Sequence, residues 1–309
     1  MKIKTTYWVW YSSAPLGLLI HFAQNNPREI ENYYSRLLYP EVFDLHKFFL
    51  NYIPFSFGDI MYIVLFIYGL KIVLERISFW KAKPLQFLFD FGSAVIITGW
   101  IFHLSWGFNY HRIPLNEQLA MKVKYSKQDL EERLDKLIQE SNHWHDQLVI
   151  SDTLAVEFPL SKDQTLEKVS LYSPFYNETL LNYTKVKKSL LSLPLSYMGY
   201  SGYLNPFTLE SQINAKMPPI SQIITSFHEA AHQLGYANEK EANFIAYLSA
   251  IKNNDPYIKY AGYTFAFRYL YYEFYKIDPF GAKGKLKLLN SGIKKNFREV
   301  SDFWKKYEN

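Results

Sequence analysis

The chain has 309 residues, of which 49% are hydrophobic, 18% aromatic and 20% charged, and its formal net charge is +5. That hydrophobic fraction excludes a disordered chain, and so small a positive charge gives no reason to expect a nucleic-acid partner. The absence of Cys excludes a disulfide framework, a thiolate-ligated zinc site, an iron–sulfur cluster and a thiol nucleophile.

Charge is unevenly spread. Residues 1–111 hold 9 Lys/Arg and 7 Asp/Glu, against 25 and 22 in the remainder. This contrast divides the chain into an expected membrane domain, 1–111, and a soluble domain, 112–309. Three apolar segments lie in the first part: Tyr7–Phe22, Phe57–Val73 and Phe87–Tyr110. A membrane span needs about 20 mostly apolar residues, and tryptophans gather toward the segment ends as interfacial aromatics do. Three transmembrane helices are therefore expected, although Pro15 and short length make the first segment compatible with a soluble helix. It is not a secretory signal, because no small-residue cleavage site follows it.

Lys2 and Lys4 at the N-terminus, with Lys71, Arg76, Lys81 and Lys83 near the second connection, favour the cytoplasmic side. Three spans would then place the soluble domain outside a bacterial inner membrane. Arg112, Lys122, Lys124 and Lys127 pull the other way.

After His111, Ser126 and Asp129 form a candidate capping box ahead of Leu130, Leu134, Leu137 and Ile138 at helical spacing. Between Ser151 and Pro206 the signals are mixed. Pro159, Pro174, Pro194 and Pro206 punctuate short apolar runs, which reads as strand or loop. Pro218-Pro219 then opens a helix that Gly235 closes, and its Ile220, Ile223, Ile224, Phe227, Ala231 and Leu234 predict deep burial. A further helix begins near Asn238, and a tyrosine-rich helical stretch follows Asp255. The tail from Lys283 to Lys306 is basic.

The helix opened by Pro219 carries His228-Glu229-Ala230-Ala231-His232, an HExxH motif. Residues i and i+4 share one helix face, so both imidazoles can bind one Zn2+ ion. Glu229 stands beside the first ligand, where a general base must be to take a proton from water in the open coordination position. A buried carboxylate on an apolar helix is costly without such a role. For a third ligand, zincins of the long-helix kind use a Glu from a following helix. Glu239 fits, with Asn243 one turn on to hydrogen-bond a ligand histidine, and Glu241 competes with it. Asn238 falls where a third histidine stands in HExxHxxGxxH proteins, but Asn is a poor zinc ligand.

The run HEAAHQLGYANEKEANFIAYLSA resembles the HExxH-plus-EAN signature of a bacterial family of membrane-anchored proteins of unknown function. The resemblance extends to YYSRLLYP, IPFSFGDIMY, WGFNYHR and SYMGYSGYLNPFTLESQIN. It implies three N-terminal spans followed by a zincin-like metallopeptidase domain. The expected fold is thus mainly α, with transmembrane helices and an α+β catalytic domain containing a small sheet. Glu239 to Asn243 also resembles the second motif of gluzincin peptidases, where Asp is usual at the last position. Asn243 still accepts a hydrogen bond but brings no charge to raise ligand basicity.

Other residues attract less. His143, His145 and Asp146 diverge on a helix and read as solvated surface. Tyr197, Tyr200 and Tyr203 precede the HExxH helix where zincins keep a substrate-binding edge strand and an oxyanion donor, yet packing explains tyrosines in a chain with 26 of them. The basic tail reads as a solvated face, with contact to anionic headgroups as the alternative if it lies on the cytoplasmic side. The resulting expectation is a membrane zinc peptidase acting on a peptide or protein substrate. The alternatives are a membrane-anchored scaffold with a structural zinc and a zinc hydrolase of a non-peptide bond.

Overall fold

The computed structural model describes residues 2–308 apart from 123, 160, 170, 174–177 and 181–184. Pro174 lies outside the described residues. The chain is mainly helical and divides into two compact units. The first comprises Met1–Pro114 with the loops Asn205–Glu210 and Leu234–Ala237, and the second comprises the rest.

In the first unit, α1 (Lys2–Tyr11) and α2 (Ser13–Asn25) correct the expectation of a first span. Pro15 has no N–H for the Tyr11 carbonyl one turn back, and its ring collides with that group. The apolar run therefore breaks at Ser12 into helices of 10 and 13 residues, each too short to cross a bilayer. Next come α3 (Pro27–Glu29), a π-helical stretch (Ile30–Leu38) and α4 (Tyr39–Leu50). The wide π turn carries Glu31, Tyr34 and Ser35 inward together. Glu31 accepts from Arg112 Nε at 2.9 Å and Nη2 at 2.8 Å, and from Arg36 Nε at 2.8 Å. Arg112 also donates to the Gly235 carbonyl at 3.1 Å and lies over the Tyr236 ring.

Two helices are long and apolar enough to cross a membrane: α5 (Phe57–Ala82) and α6 (Pro84–Ser105). Ser56 caps α5 by accepting from Asp59 N at 3.1 Å, and Glu210 accepts from Gly58 N at 2.6 Å. Asp90 on α6 ties the helices together, accepting from Arg76, Trp80 and Gln86. Trp10 donates to Ser93 Oγ at 3.1 Å, and its ring fills the space at Gly92. A short 3-10 helix, Gly107–His111, ends this part.

The second unit opens with α7 (Leu115–Gln118) and α8 (Lys127–Asp146), which starts at the expected Ser126–Asp129 capping box. Then follow α9 (Lys162–Glu167), β1 (Leu171–Ser173), β2 (Glu178–Leu180), β3 (Lys187–Lys188), α10 (Ser192–Tyr197), β4 (Gly202–Leu204) and β5 (Ser211–Ile213). β1 and β2 form an antiparallel pair. In the three-stranded sheet β5 is central, parallel to β3 and antiparallel to β4.

Five helices complete the unit: α11 (Pro219–Gln233), α12 (Glu239–Lys252), α13 (Pro256–Ile277), α14 (Pro279–Lys287) and α15 (Ser291–Lys305). Their starts follow the sequence signals, with Asn238 capping α12 and Asp255 capping α13 through side-chain oxygens. The core packs α8, α11, α12 and α13 around Leu134, Phe227, Ile245, Tyr260 and Phe267. Each such side chain contributes about 1.5–3 kcal/mol through burial. Asn296 of α15 is buried there too, accepting from Tyr260 Oη at 2.9 Å and from Val156 N at 3.0 Å.

Candidate metal centre

The apolar residues of α11 bury most of its circumference, which aims His228 and His232 at one another's side of the helix. The two rings meet edge to face with centroids 4.6 Å apart. Beyond Gln233, Gly235 takes a left-handed conformation (φ +79°) that stops the helix, and α12 begins at Glu239. Its carboxylate lies 3.1 Å from His228 Nε2 and 3.6 Å from His232 Nε2.

His228, His232 and Glu239 each present a ligand atom, all within 4.8 Å of one another. Donors 2.0–2.1 Å from a tetrahedral zinc stand roughly 3.3 Å apart, so the two His–Glu spacings bracket what the ion requires. The set of two imidazoles and a carboxylate fits zinc. His228 Nδ1 is hydrogen-bonded to Asn243 Oδ1 at 2.9 Å, which leaves Nε2 as the nitrogen facing Glu239. Glu241 lies elsewhere, accepting from Leu115 N at 2.7 Å, and Asn238 serves as the helix cap. The structure thus groups Glu239, and not its competitor, with the histidines.

Glu229 is 5% exposed, and its Oε2 finds no hydrogen-bond partner among the described residues. Burial pushes its carboxyl up to about 8, against the partial opposition of His228. Burial opposes charging His228, but the Glu239 hydrogen bond and the two nearby carboxylates outweigh it and raise its pKa. The same His228 hydrogen bond holds Glu239 below the ordinary carboxylate range, and its side chain is exposed.

The sheet meets α11 at this point. Ser211 Oγ of β5 donates to the Glu229 carbonyl at 2.6 Å. Gly202 of β4 lies so close that a Cβ there would stand 2.9 Å from Glu229 Cγ and 2.6 Å from the Gln212 carbonyl oxygen. Residues 34–309 match the family model described as Protein of unknown function (DUF3810). The chain belongs to the DUF3810 family. No curated protein and no solved structure matches it.

In this DUF3810 member, Gly202 and Ser211 shape the site without having stood out in the sequence. Their strands are three residues long, too short for a period-two pattern to emerge. Tyr197 and Tyr200 are more than half exposed, and the Tyr197 ring packs edge to face on that of Tyr307 with centroids 5.1 Å apart. The HWHD stretch needs correction. His143 and Asp146 are exposed, but His145 is fully buried, with Nε2 2.9 Å from the Leu154 carbonyl and Nδ1 3.1 Å from Asn290 Nδ2.

Proposed function

We propose that this protein is a membrane-bound, zinc-dependent peptidase. The observation that carries this reading is the meeting of His228, His232 and Glu239 beside a buried carboxylate, Glu229, whose Oε2 has no hydrogen-bond partner among the described residues. A zinc ion held there would supply Lewis acidity, lowering the pKa of a water and polarising a carbonyl oxygen. Glu229 is the general base. Its place beside His228 suits a group that takes a proton from water and delivers it to the departing amine. Asn243 keeps a proton on His228 Nδ1, so that Nε2 stays available to the metal. β4 is an edge among the described residues, paired as a strand with β5 alone, a position that suits an extended peptide. The exposure of Glu239 and the presence of three rather than four grouped ligands favour an open, catalytic site over a closed structural one.

The membrane part of the proposal rests on α5 and α6, which are long, strongly apolar and contain almost no buried residues. Leaving Phe66, Ile67, Leu74, Leu88 and Phe91 in water would expose a large apolar patch, whereas a bilayer covers it. Two spans put the segments that directly flank the hairpin, just before α5 and just after α6, on one side. The positive turn with Arg76, Lys81 and Lys83 favours the cytoplasm, which leaves the metal centre on the extracytoplasmic face of a bacterial inner membrane.

Glu229→Gln tests the mechanism. The variant is expected to retain zinc by elemental analysis while peptide hydrolysis falls by on the order of 10²–10⁴. Full activity in the variant overturns the role of Glu229, and a wild-type protein that takes up no zinc overturns the metal reading.

A further inference from the structure

The C-terminal end of α13 and the start of α14 carry a surface that the metal centre does not use. Phe280 is 88% exposed, and Tyr272 and Ile277 are also more than half exposed. All three fall within nine residues of chain, at the corner where α13 gives way to α14. Tyr125 joins them near the Lys276 ammonium, which lies 4.5 Å over the Tyr272 ring.

The orientation of α14 is fixed from its other face. Ala282 is buried, and Lys285 is held by Glu131 and Asp135 of α8. What α14 turns outward is therefore Phe280, Lys283 and Lys287, at i, i+3 and i+7. Both lysines are exposed and have no carboxylate partner among the described residues. Apolar and aromatic groups flanked by unpaired lysines are the composition of a helix that lies in a bilayer interface, with the rings below the headgroups and the ammonium groups among the phosphates. Tyr125 follows the end of α6 by only twenty residues, so a chain anchored by α6 keeps this face within reach of the bilayer.

We propose that the α13–α14 corner is a docking surface for an anionic bilayer, with Phe280 as the inserted side chain and Lys283 and Lys287 as the headgroup contacts. Docking would hold the second unit against the membrane, and the peptides it favours would then be segments at the membrane surface. The inference rests on α5 and α6 retaining the chain in lipid, and one experiment separates the two.

Because the chain has no Cys, Phe280→Cys gives a single labelling position in the full-length protein. The variant, carrying an environment-sensitive fluorophore, is reconstituted into nanodiscs holding one chain each. The discs are of phosphatidylcholine alone or with about one third phosphatidylglycerol. In the anionic discs the emission should move to the blue and be quenched by doxyl-labelled lipid, while the same label at the fully exposed Ile150→Cys stays unchanged. Adding Lys283→Glu and Lys287→Glu should weaken docking by roughly tenfold or more and remove the difference between the two lipids. Incorporation without any shift at position 280, or a shift indifferent to lipid charge and to the lysines, overturns the docking surface. A shift that appears only with several chains per disc also overturns it, assigning the face to a second copy. Failure to incorporate overturns the spans, and this inference with them.

Discussion

Glu31 shows what one buried charge demands of its surroundings. It is 1% exposed, and burial alone pushes its carboxyl up. The hydrogen bonds and charges of Arg112 and Arg36 outweigh that effect and hold it below the ordinary value. A depressed carboxyl stabilises the folded state above its unfolded pKa of 4.5, and that stability is lost as pH falls through the folded value. Glu31→Gln leaves Arg112, with a side chain only 9% exposed, without its counter-charge. We expect it to be less stable than the parent at pH 7 by about 3 kcal/mol in denaturant unfolding. The gap should close as both proteins are taken below pH 4.5. A gap constant across that range would show that the Glu31 carboxyl is not depressed in the folded protein. The carboxylate of the metal centre is the opposite case. Glu229 has no cation beside it strong enough to compensate, and burial wins.

At the scale of elements, the start of α15 meets the loop after α8 through two close contacts. Gly292 N donates to the Asp152 carbonyl at 2.8 Å, and a Cβ at Gly292 would overlap the Leu154 carbonyl oxygen and His145 Nε2. Gly292→Ala must therefore move backbone, not a flexible side-chain end. It should lower stability by about 3 kcal/mol, read as a drop in melting temperature, while zinc content remains stoichiometric. Unchanged stability would show that the α15 N-terminus shifts freely.

How much of this was legible in the sequence follows from the range of the interactions. The limits of α8, α11, α12 and α13 are set by neighbours within four residues, through Ser126, Pro219, Asn238 and Asp255, and those are visible in a linear pattern. The HExxH face is legible for the same reason. Pro15 was visible too, but the length of the apolar run outweighed it and suggested a third span. His145 and Gly292 meet across 147 positions, and nothing near either one announces the other. The choice of Glu239 over Glu241 likewise depended on how α12 turns toward α11, a rotation that spacing alone leaves open.

For the whole molecule, the proposed pair of spans makes a definite statement about sides. Lys83, in the turn between α5 and α6, and Ile150, in the second unit, should lie across the bilayer from each other. Single cysteines at these positions, treated with a membrane-impermeant maleimide in sealed vesicles of known orientation, should react from opposite faces. Reaction of both from the same face would remove the hairpin from the membrane.

β4 has one more implication. An open strand edge invites pairing with any other unpaired strand, including that of a neighbouring chain. At three residues, with Gly202 as one of them, β4 offers too few main-chain bonds to seed a growing sheet. Its shortness keeps neighbouring molecules from templating one another. It also leaves any bound segment weakly held by backbone alone, so discrimination between segments falls to side-chain contacts on either side of Gly202.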